Sequence, residues 1–363
     1  MEKLYSIYQW IVGQINHMRT IEVTDPNPAW KTAFTEEAAR LRAALGSPVI
    51  DIQHIGSTAI PAIKAKPVVD MLLVVSHIES LDPFEETMRG LGYLPKGEYG
   101  IPGRRFYIKG SEEQRSHHLH AFGLGNPHIG RHLRFRDYLT AHPAEAQQYS
   151  QLKARLAAQF PHDIEAYMDG KHDLIQDLDR RALAWVEGRM LLPEIETPRL
   201  SLRALSPRQL EWALHDLPQL EADLGMPVLP EISDAPVKRA ISIKLYKMAV
   251  AQPERYAWYT YFLIIPKDQP AGAGTIGFKG EPDAQGMVEV GYGIDPRYRR
   301  LGYTSEALRA LIDWAFAQAD CRAITATGVL PENAASQGVL GKCGFTFTGQ
   351  DEHGLNYILN KQG

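Results

Sequence analysis

Six consecutive residues, Arg299-Arg300-Leu301-Gly302-Tyr303-Thr304, set two guanidinium groups and a glycine immediately ahead of a helical pattern. From Ser305 onward, Ala307, Leu308, Leu311, Ile312, Ala315 and Phe316 recur on one side at helical spacing. The first N–H groups of a helix lack partners and its dipole places partial positive charge there, so this junction suits a phosphate. Gly302 would let the chain approach an anion closely; the competing reading is a tight turn with solvated arginines. A second concentration lies in HIGSTAIPAIKAKPVVDMLLVV, His54 to Val75. There Gly56-Ser57 reads as a turn, Lys66-Pro67 leads into a strand, and Asp70 is the lone charge from Val68 to Val75. Burying a carboxylate is costly unless it is paired or holds a metal, so Asp70 is either a site residue or a paired structural aspartate. His118 and His120, two apart in a predicted strand, share a face; they are candidate metal ligands or hydrogen-bonded structural histidines. Arg104, Arg105 and Lys66 are candidate phosphate contacts, or solvated charges.

The elements that must carry these residues follow from periodicity. Val288, Val290, Tyr292 and Ile294 alternate as in a strand, and Asp295-Pro296 ends it. Gly291 and Gly293 interrupt that strand's side-chain row, which marks a bulge or the close approach of a ligand. Glu289 lies just ahead of them, as a general base for an amine nucleophile or as a strand glutamate paired or exposed. Farther back, Leu174, Ile175, Leu178, Ala182, Leu183 and Val186 predict a helix over Asp173 to Val186. Gly188, Pro193 and Pro198 then break the chain, and Leu200, Leu202 and Ala204 alternate as a new strand. The expected organisation is therefore a first domain over 1–186, a linker over 187–196 and a second domain over 197–363.

The second domain resembles the GNAT superfamily of N-acetyltransferases. Arg299-x-x-Gly302-x-Thr304 is similar to its acetyl-CoA motif, R/Q-x-x-G-x-G/A, with threonine at the final small position. ETPRLSLRAL at 196–205, GTIGFKG at 274–280 and ENAASQGVLGKCGFTFTG at 332–349 resemble further blocks in the same order. The resemblance implies a GNAT fold with a bulged central sheet. It implies that the backbone around Tyr292 to Ile294 binds the pantetheine arm and that Arg299, Arg300, Leu301, Gly302, Tyr303 and Thr304 hold the pyrophosphate. Asn333 matches an asparagine that contacts the cofactor. Many relatives carry a tyrosine as general acid where this chain has Leu340, so Ser336 or water is the candidate replacement.

The first domain resembles the GrpB family, whose fold is similar to that of nucleotidyltransferases. The resemblance spans roughly 21–186, through TDPNPAWKTAFTEEAARL, the HIGST segment, GIPGRRFYIKG, HHLHAF, LRFRDYLTAHP and YMDGKHDLIQ. It implies an α/β (α+β) fold with a mixed sheet and helices. By that resemblance Gly56-Ser57 corresponds to a turn that contacts a triphosphate, and Asp70 to the first aspartate of D-x-D. Leu72 stands at the second position, so the usual magnesium pair is incomplete; Asp70, His118 and His120 are the candidate set for a divalent metal.

Composition sets the outer bounds. Hydrophobic residues make up 44% of the 363, charged residues 23%, and the formal charge is -4, the profile of a soluble globular protein. Nucleic-acid binding through phosphate neutralisation needs a basic excess that is absent here. Two cysteines, Cys321 and Cys343, favour neither a disulfide framework nor a cysteine-rich zinc site. Ile7 to Ile15 is interrupted by Gln9, Gly13 and Gln14, so no signal peptide or membrane span is expected and the expected location is cytoplasmic. The resulting expectation is an acetyl-CoA-dependent N-acetyltransferase acting on a small amine, an antibiotic or a protein N-terminus. It is fused to a domain for a nucleotide or phosphorylated ligand. The alternatives are a non-catalytic sensor and a bifunctional acetyl- and nucleotidyltransferase; oligomeric state is left open.

Overall fold

The computed structural model describes residues 20–111, 114–228, 232 and 234–362; the Ile7 to Ile15 stretch lies outside them. The chain divides into two units, residues up to Gly188 and residues from Arg189. Among the described residues no helix is long and apolar enough to cross a membrane.

The first unit is built on five strands: β1 (Val49–Ile55), β2 (Val69–Val75), β3 (Tyr93–Pro95), β4 (Arg104–Gly110) and β5 (Arg115–Gly123). Their order is β1-β2-β5-β4-β3, with β2 and β5 parallel and the other pairs antiparallel. Every residue of β2 except Asp70 is buried, as expected of a strand with both faces covered. Met71, Leu73 and Val75 pack with Leu41 and Leu45 of α1 (Ala29–Leu45), whose Ala-, Leu-, Glu- and Arg-rich sequence favours helix. Alternation sends Asp70 and Leu72 to the opposite face. Four more helices follow β5: α3 (Pro127–Ala141), α4 (Pro143–Gln159), α5 (Ile164–Asp169) and α6 (His172–Glu187); α2 (Glu85–Gly90) precedes β3. The helix expected over Asp173 to Val186 is α6. Ile60 and Ile63, just after β1, pack with Tyr138, Tyr149 and Leu178 of these helices.

The second unit is an eight-stranded sheet. Its strands are β6 (Glu194–Glu196), β7 (Leu200–Ala204), β8 (Phe262–Pro266), β9 (Gly274–Phe278), β10 (Met287–Ile294), β11 (Ala323–Val329), β12 (Thr346–Asp351) and β13 (Gly354–Asn360). The order is β12-β13-β11-β10-β9-β8-β7-β6, and only β10 and β11 run parallel. Residues 194–196, read above as linker, are thus a strand. Their alternation is too short to signal one alone, and the edge of β7 supplies the partner. Helices α7 (Pro207–His215), α8 (Leu217–Leu224) and α9 (Ala235–Val250) lie between β7 and β8 in sequence. Helix α10 (Tyr303–Phe316) connects β10 to β11, and α11 (Ala334–Lys342) follows β11. Leu308 and Leu311 of α10 are fully buried against Val288, Val290 and Ile324. Truncating such a residue to alanine costs about 2–5 kcal/mol. Trp258 and Phe262 belong to the same core, their rings tilted against Trp314.

Two local features yield tests. Gly56 closes β1 with φ +67 and ψ -168, a region open to glycine alone, and a Cβ there would lie 2.4 Å from the Asp70 carboxylate. Gly56→Ala is expected to destabilise the first unit by about 2 kcal/mol or more, read as a lower thermal midpoint. An unchanged midpoint would show that the turn relaxes freely.

Lys244 of α9 is buried and donates to the carbonyls of Thr260 and Phe278. Burial, with repulsion from Lys247 and Lys279, pushes its ammonium from 10.5 down to about 7. Between those values the unfolded chain holds a proton that the folded one has released, so stability rises with pH. The stability of wild type relative to Lys244→Met is therefore expected to climb by up to about 2 kcal/mol from pH 7 to pH 9. Parallel melting curves at the two pH values check this; a constant difference contradicts it.

Candidate functional site

In the second unit, β10 parts from its neighbour. Met287, Val288 and Glu289 pair with Ala323, Ile324 and Thr325 of β11, and there the parallel ladder stops. On the other side, Val290 to Ile294 stay in unbroken register with Phe278 to Gly274 of β9. The irregularity expected around Gly291 and Gly293 is therefore a parting from β11, which leaves the β11-facing backbone edge of Val290 to Ile294 outside any ladder. Val288 and Val290 point into the core, so Glu289, Gly291 and Gly293 share the opposite face. A Cβ added at either glycine would meet nothing within 4 Å.

Helix α10 begins just beyond the parting. Gly302, its N-cap, has φ +82, and no side chain caps the helix. Arg300 also takes a positive φ, +62, so the turn is tightly wound. Arg299, Arg300, Leu301 and Gly302 are exposed, Thr304 is half-buried and the Tyr303 side chain is buried, so Tyr303 can offer a ligand its backbone only. The turn is held from the start of the unit. Arg199 Nη1 donates to the Leu301 carbonyl at 2.9 Å, and its guanidinium lies 5.0 Å from the Tyr303 ring centroid. Glu306 accepts from Thr197 Oγ1 at 2.7 Å and from the Arg199 backbone N–H at 2.9 Å, and pairs with the Arg199 side chain. Burial raises the Glu306 carboxyl, but these donors prevail and hold it below its ordinary value. Sequence reasoning missed this clamp; its one signal was an acid in the first turn of α10.

The remaining candidates surround the parting. Glu289 Oε1 takes both the Lys279 ammonium and the Thr327 hydroxyl, the latter at 2.6 Å. Asn333 Oδ1 caps α11 by accepting from the Ser336 N–H at 3.0 Å. The Ser336 hydroxyl meets the Tyr292 hydroxyl at 2.9 Å, which links β10 to α11 across the open edge. Burial raises the Tyr292 phenol, so it stays protonated at neutral pH. Leu340 is fully buried in the core.

In the first unit, the parallel register sets Asp70 beside His118 and Leu72 beside His120. His118 Nδ1 donates to Asp70 Oδ1 at 3.0 Å, and His120 Nε2 lies 3.8 Å from the same oxygen. Burial pushes the Asp70 carboxyl up, yet hydrogen bonds from both histidines prevail and hold it far below the usual carboxylate range. Burial also lowers His120 against the pull of Asp70. The metal expectation is corrected here: among the described residues no group of three such side chains could hold an ion. His118 spends Nδ1 on the carboxylate, and His120 turns its Nδ1 to Arg104 at 3.2 Å while its Nε2 faces Asp70, so both rings serve as partners of neighbouring side chains.

Arg104 donates further to the carbonyls of Glu98 and Tyr99, and Arg105 pairs with Asp82. Ser57 opens a short 3₁₀ turn and accepts from Lys153 Nζ at 2.8 Å. Lys153, unnoticed in the sequence, lies on the buried stripe of α4 with Tyr149, Leu156 and Ala157. A lysine in phase with that apolar stripe was the available signal. Lys66 and Lys171 sit 4.2 Å and 4.6 Å from the ring centroid of Tyr167.

Comparison with known proteins assigns both halves. Residues 20–181 match the GrpB protein family, and residues 199–346 match the acetyltransferase (GNAT) domain family. The UPF0157 protein YqkA of Bacillus subtilis is 47% identical over 171 residues, 47% of this chain and 50% of YqkA, so the chain spans half that relative's length. The uncharacterized N-acetyltransferase YjdG of Bacillus subtilis is 30% identical over 151 residues, 42% of this chain and 88% of YjdG. The crystal structure of conserved protein GrpB from Enterococcus faecalis is 39% identical and covers 45% of this chain and 98% of its own, with TM-score 0.44. The chain thus belongs to the GrpB family through its first unit and carries a GNAT acetyltransferase domain in its second.

Proposed function

We propose that the second unit transfers the acetyl group of acetyl-CoA to a primary amine. The observation that carries this reading is the parting of β10 from β11 beyond Glu289 and Thr325, beside a helix start that no side chain caps. The free edge of Val290 to Ile294 would accept the pantetheine arm as a further strand would, through backbone hydrogen bonds. The Ile294 N–H is the donor proposed for the thioester carbonyl. At the turn, the first N–H groups of α10, Gly302 and the exposed Arg299 and Arg300 would hold the pyrophosphate. Asn333, its Oδ1 spent on the cap, has Nδ2 to offer the cofactor.

When bound, acetyl-CoA supplies the acyl group and its thiol leaves. The chain's own part is to move two protons. Glu289 keeps both of its side-chain contacts on Oε1, so Oε2 is the oxygen proposed to take the amine proton, directly or through a water. Beside it, Gly291 and Gly293 leave open room for the acceptor. Ser336, with Tyr292 behind it at 2.9 Å, is proposed to protonate the departing sulfur in place of the tyrosine that Leu340 replaces. The first unit is read as a ligand-binding module. Asp70 has Leu72 as its neighbour on the strand face, so joint carboxylate coordination of two ions is not proposed.

Calorimetric titration of acetyl-CoA into wild type and Gly302→Glu tests the turn: the variant should bind at least about 10-fold more weakly, since a carboxylate would meet the anion. Equal affinity would remove the pyrophosphate assignment. For the proton donor, thiol release with a panel of amines should show kcat reduced roughly 100-fold in Ser336→Ala and less in Tyr292→Phe, with KM for acetyl-CoA little changed. Unaltered kcat in both variants would leave solvent as the acid.

A further inference from the structure

Thr327 lies where β11 has already left β10. The parallel ladder ends at Glu289 and Thr325; two residues on, the Thr327 hydroxyl reaches back and donates to Glu289 Oε1 at 2.6 Å. The stretch is shaped from its other side. β11 pairs with β13 through Ala326 and Tyr357 and again through Val329 and Leu355, so Thr327 and Gly328 together face Asn356 as a β-bulge. Gly328 takes φ +67, which glycine allows, and its N–H donates to Asn356 Oδ1 at 3.2 Å. Asn356 is held in turn, its Nδ2 donating to Asp351 Oδ2 at 2.8 Å. A Cβ on Gly354 would lie 2.7 Å from the Val329 carbonyl oxygen, so β13 needs a glycine to pass there. Two glycines and a side-chain relay from β12 and β13 thus build the bulge, and bulges re-aim the side chains they carry.

Glu289 is also approached from the opposite flank. Lys279, the residue after β9, donates its backbone N–H to the Glu289 carbonyl at 2.8 Å and pairs its ammonium with the same Oε1. The segments on both sides of β10 therefore put a donor on one carboxylate oxygen. A carboxylate without partners turns broadly about its last bond; two donors on Oε1 oppose that rotation and leave Oε2 to point away from them. Lys279 and Thr327 are both exposed, and exposed contacts of this kind contribute little to stability. What the arrangement supplies is a fixed direction for the carboxylate.

We propose that Thr327 is a positioning residue for the acetyl transfer, acting through Glu289. This rests on the reading of Glu289 as the general base. With Oε1 held by Thr327 and Lys279, the proton of the attacking amine has one oxygen to go to, Oε2, on the face that Gly291 and Gly293 leave open. As the amine nitrogen bonds to the acetyl carbon, that proton passes to Oε2, and the sulfur leaves with the electron pair of the broken thioester bond. Of the two donors Thr327 sets the direction, because its side chain is short and stiff at χ1 while that of lysine is long and flexible.

The test is a mutant cycle on the full chain, read by thiol release with acetyl-CoA and the amine panel, and by crystal structures. Thr327→Val keeps the shape of the side chain and removes its hydroxyl. Its kcat should fall at least about 10-fold with KM for acetyl-CoA little changed, and Thr327→Ser should recover most of the loss. Adding Thr327→Val to Glu289→Gln should cost nothing further, since the hydroxyl acts only through the carboxylate. The crystal structure of Thr327→Val should show the Glu289 carboxylate turned from its wild-type direction with β11 unmoved; a carboxylate that keeps its direction overturns the proposal whatever the amine. Full kcat in Thr327→Val beside an impaired Glu289→Gln overturns it and leaves the base in place. Losses that add in the double variant overturn it too, by making Thr327 a prop of the sheet. Full kcat in Glu289→Gln removes the base reading and this proposal with it.

Discussion

A strand inside a sheet cannot leave its neighbour without exposing backbone donors and acceptors that want partners, and β10 does so between Glu289 and Ile294. Much else in the second unit makes that departure tolerable. The register with β9 runs unbroken through the same residues, so the strand is held on one side while it opens on the other. Val288 and Val290 anchor it to the core beneath α10. The Tyr292 to Ser336 contact ties the open stretch to α11, and Leu340 seats that helix in the core. The opening is thus a braced gap in a rigid sheet, and function can be placed in it without loosening the fold.

The first unit meets a different constraint, that of charge in a dry place. Its central strand is apolar except for Asp70, which is kept ionised by donors from the next strand. Lys153, beyond the turn, donates to neutral acceptors, the Ser57 hydroxyl and the Lys64 carbonyl. One carboxylate is held ionised by the fold, while burial lowers the ammonium groups of Lys153 and Lys171, with repulsion from Lys171 and Lys66 added at Lys153.

The elements that obey a period were legible in the sequence. Leu200, Leu202 and Ala204 alternate and are buried in β7, and the stripe from Leu174 to Val186 is α6. The turn at Arg299 to Thr304 announces itself by a glycine between a strand and an amphipathic helix. What stayed hidden depends on which strand lies beside which. No local pattern reveals that β2 and β5 run parallel with Asp70 level with His118, so the sequence leaves the histidines open between metal ligands and hydrogen-bonded residues, and His118 is in fact a donor to the aspartate. Lys153 and the Arg199 to Glu306 clamp are invisible for the same reason, since each meets its partner only after the chain has closed over a long span.

That clamp has a consequence for the order in which the second unit assembles. Thr197 and Arg199 reach residues 109 and 107 positions later in the chain. Closing so long a loop costs conformational entropy that is recovered only when both ends have docked. The turn ahead of α10 is therefore expected to take shape late, after β7 has joined the sheet and α10 has packed beneath it. In unfolding the sequence reverses: once the edge strand β6 and its neighbour β7 fray, Leu301 and Glu306 lose their holder while the centre of the sheet is still intact. Amide protection in the turn should then follow the edge of the sheet and not the helix that the turn introduces.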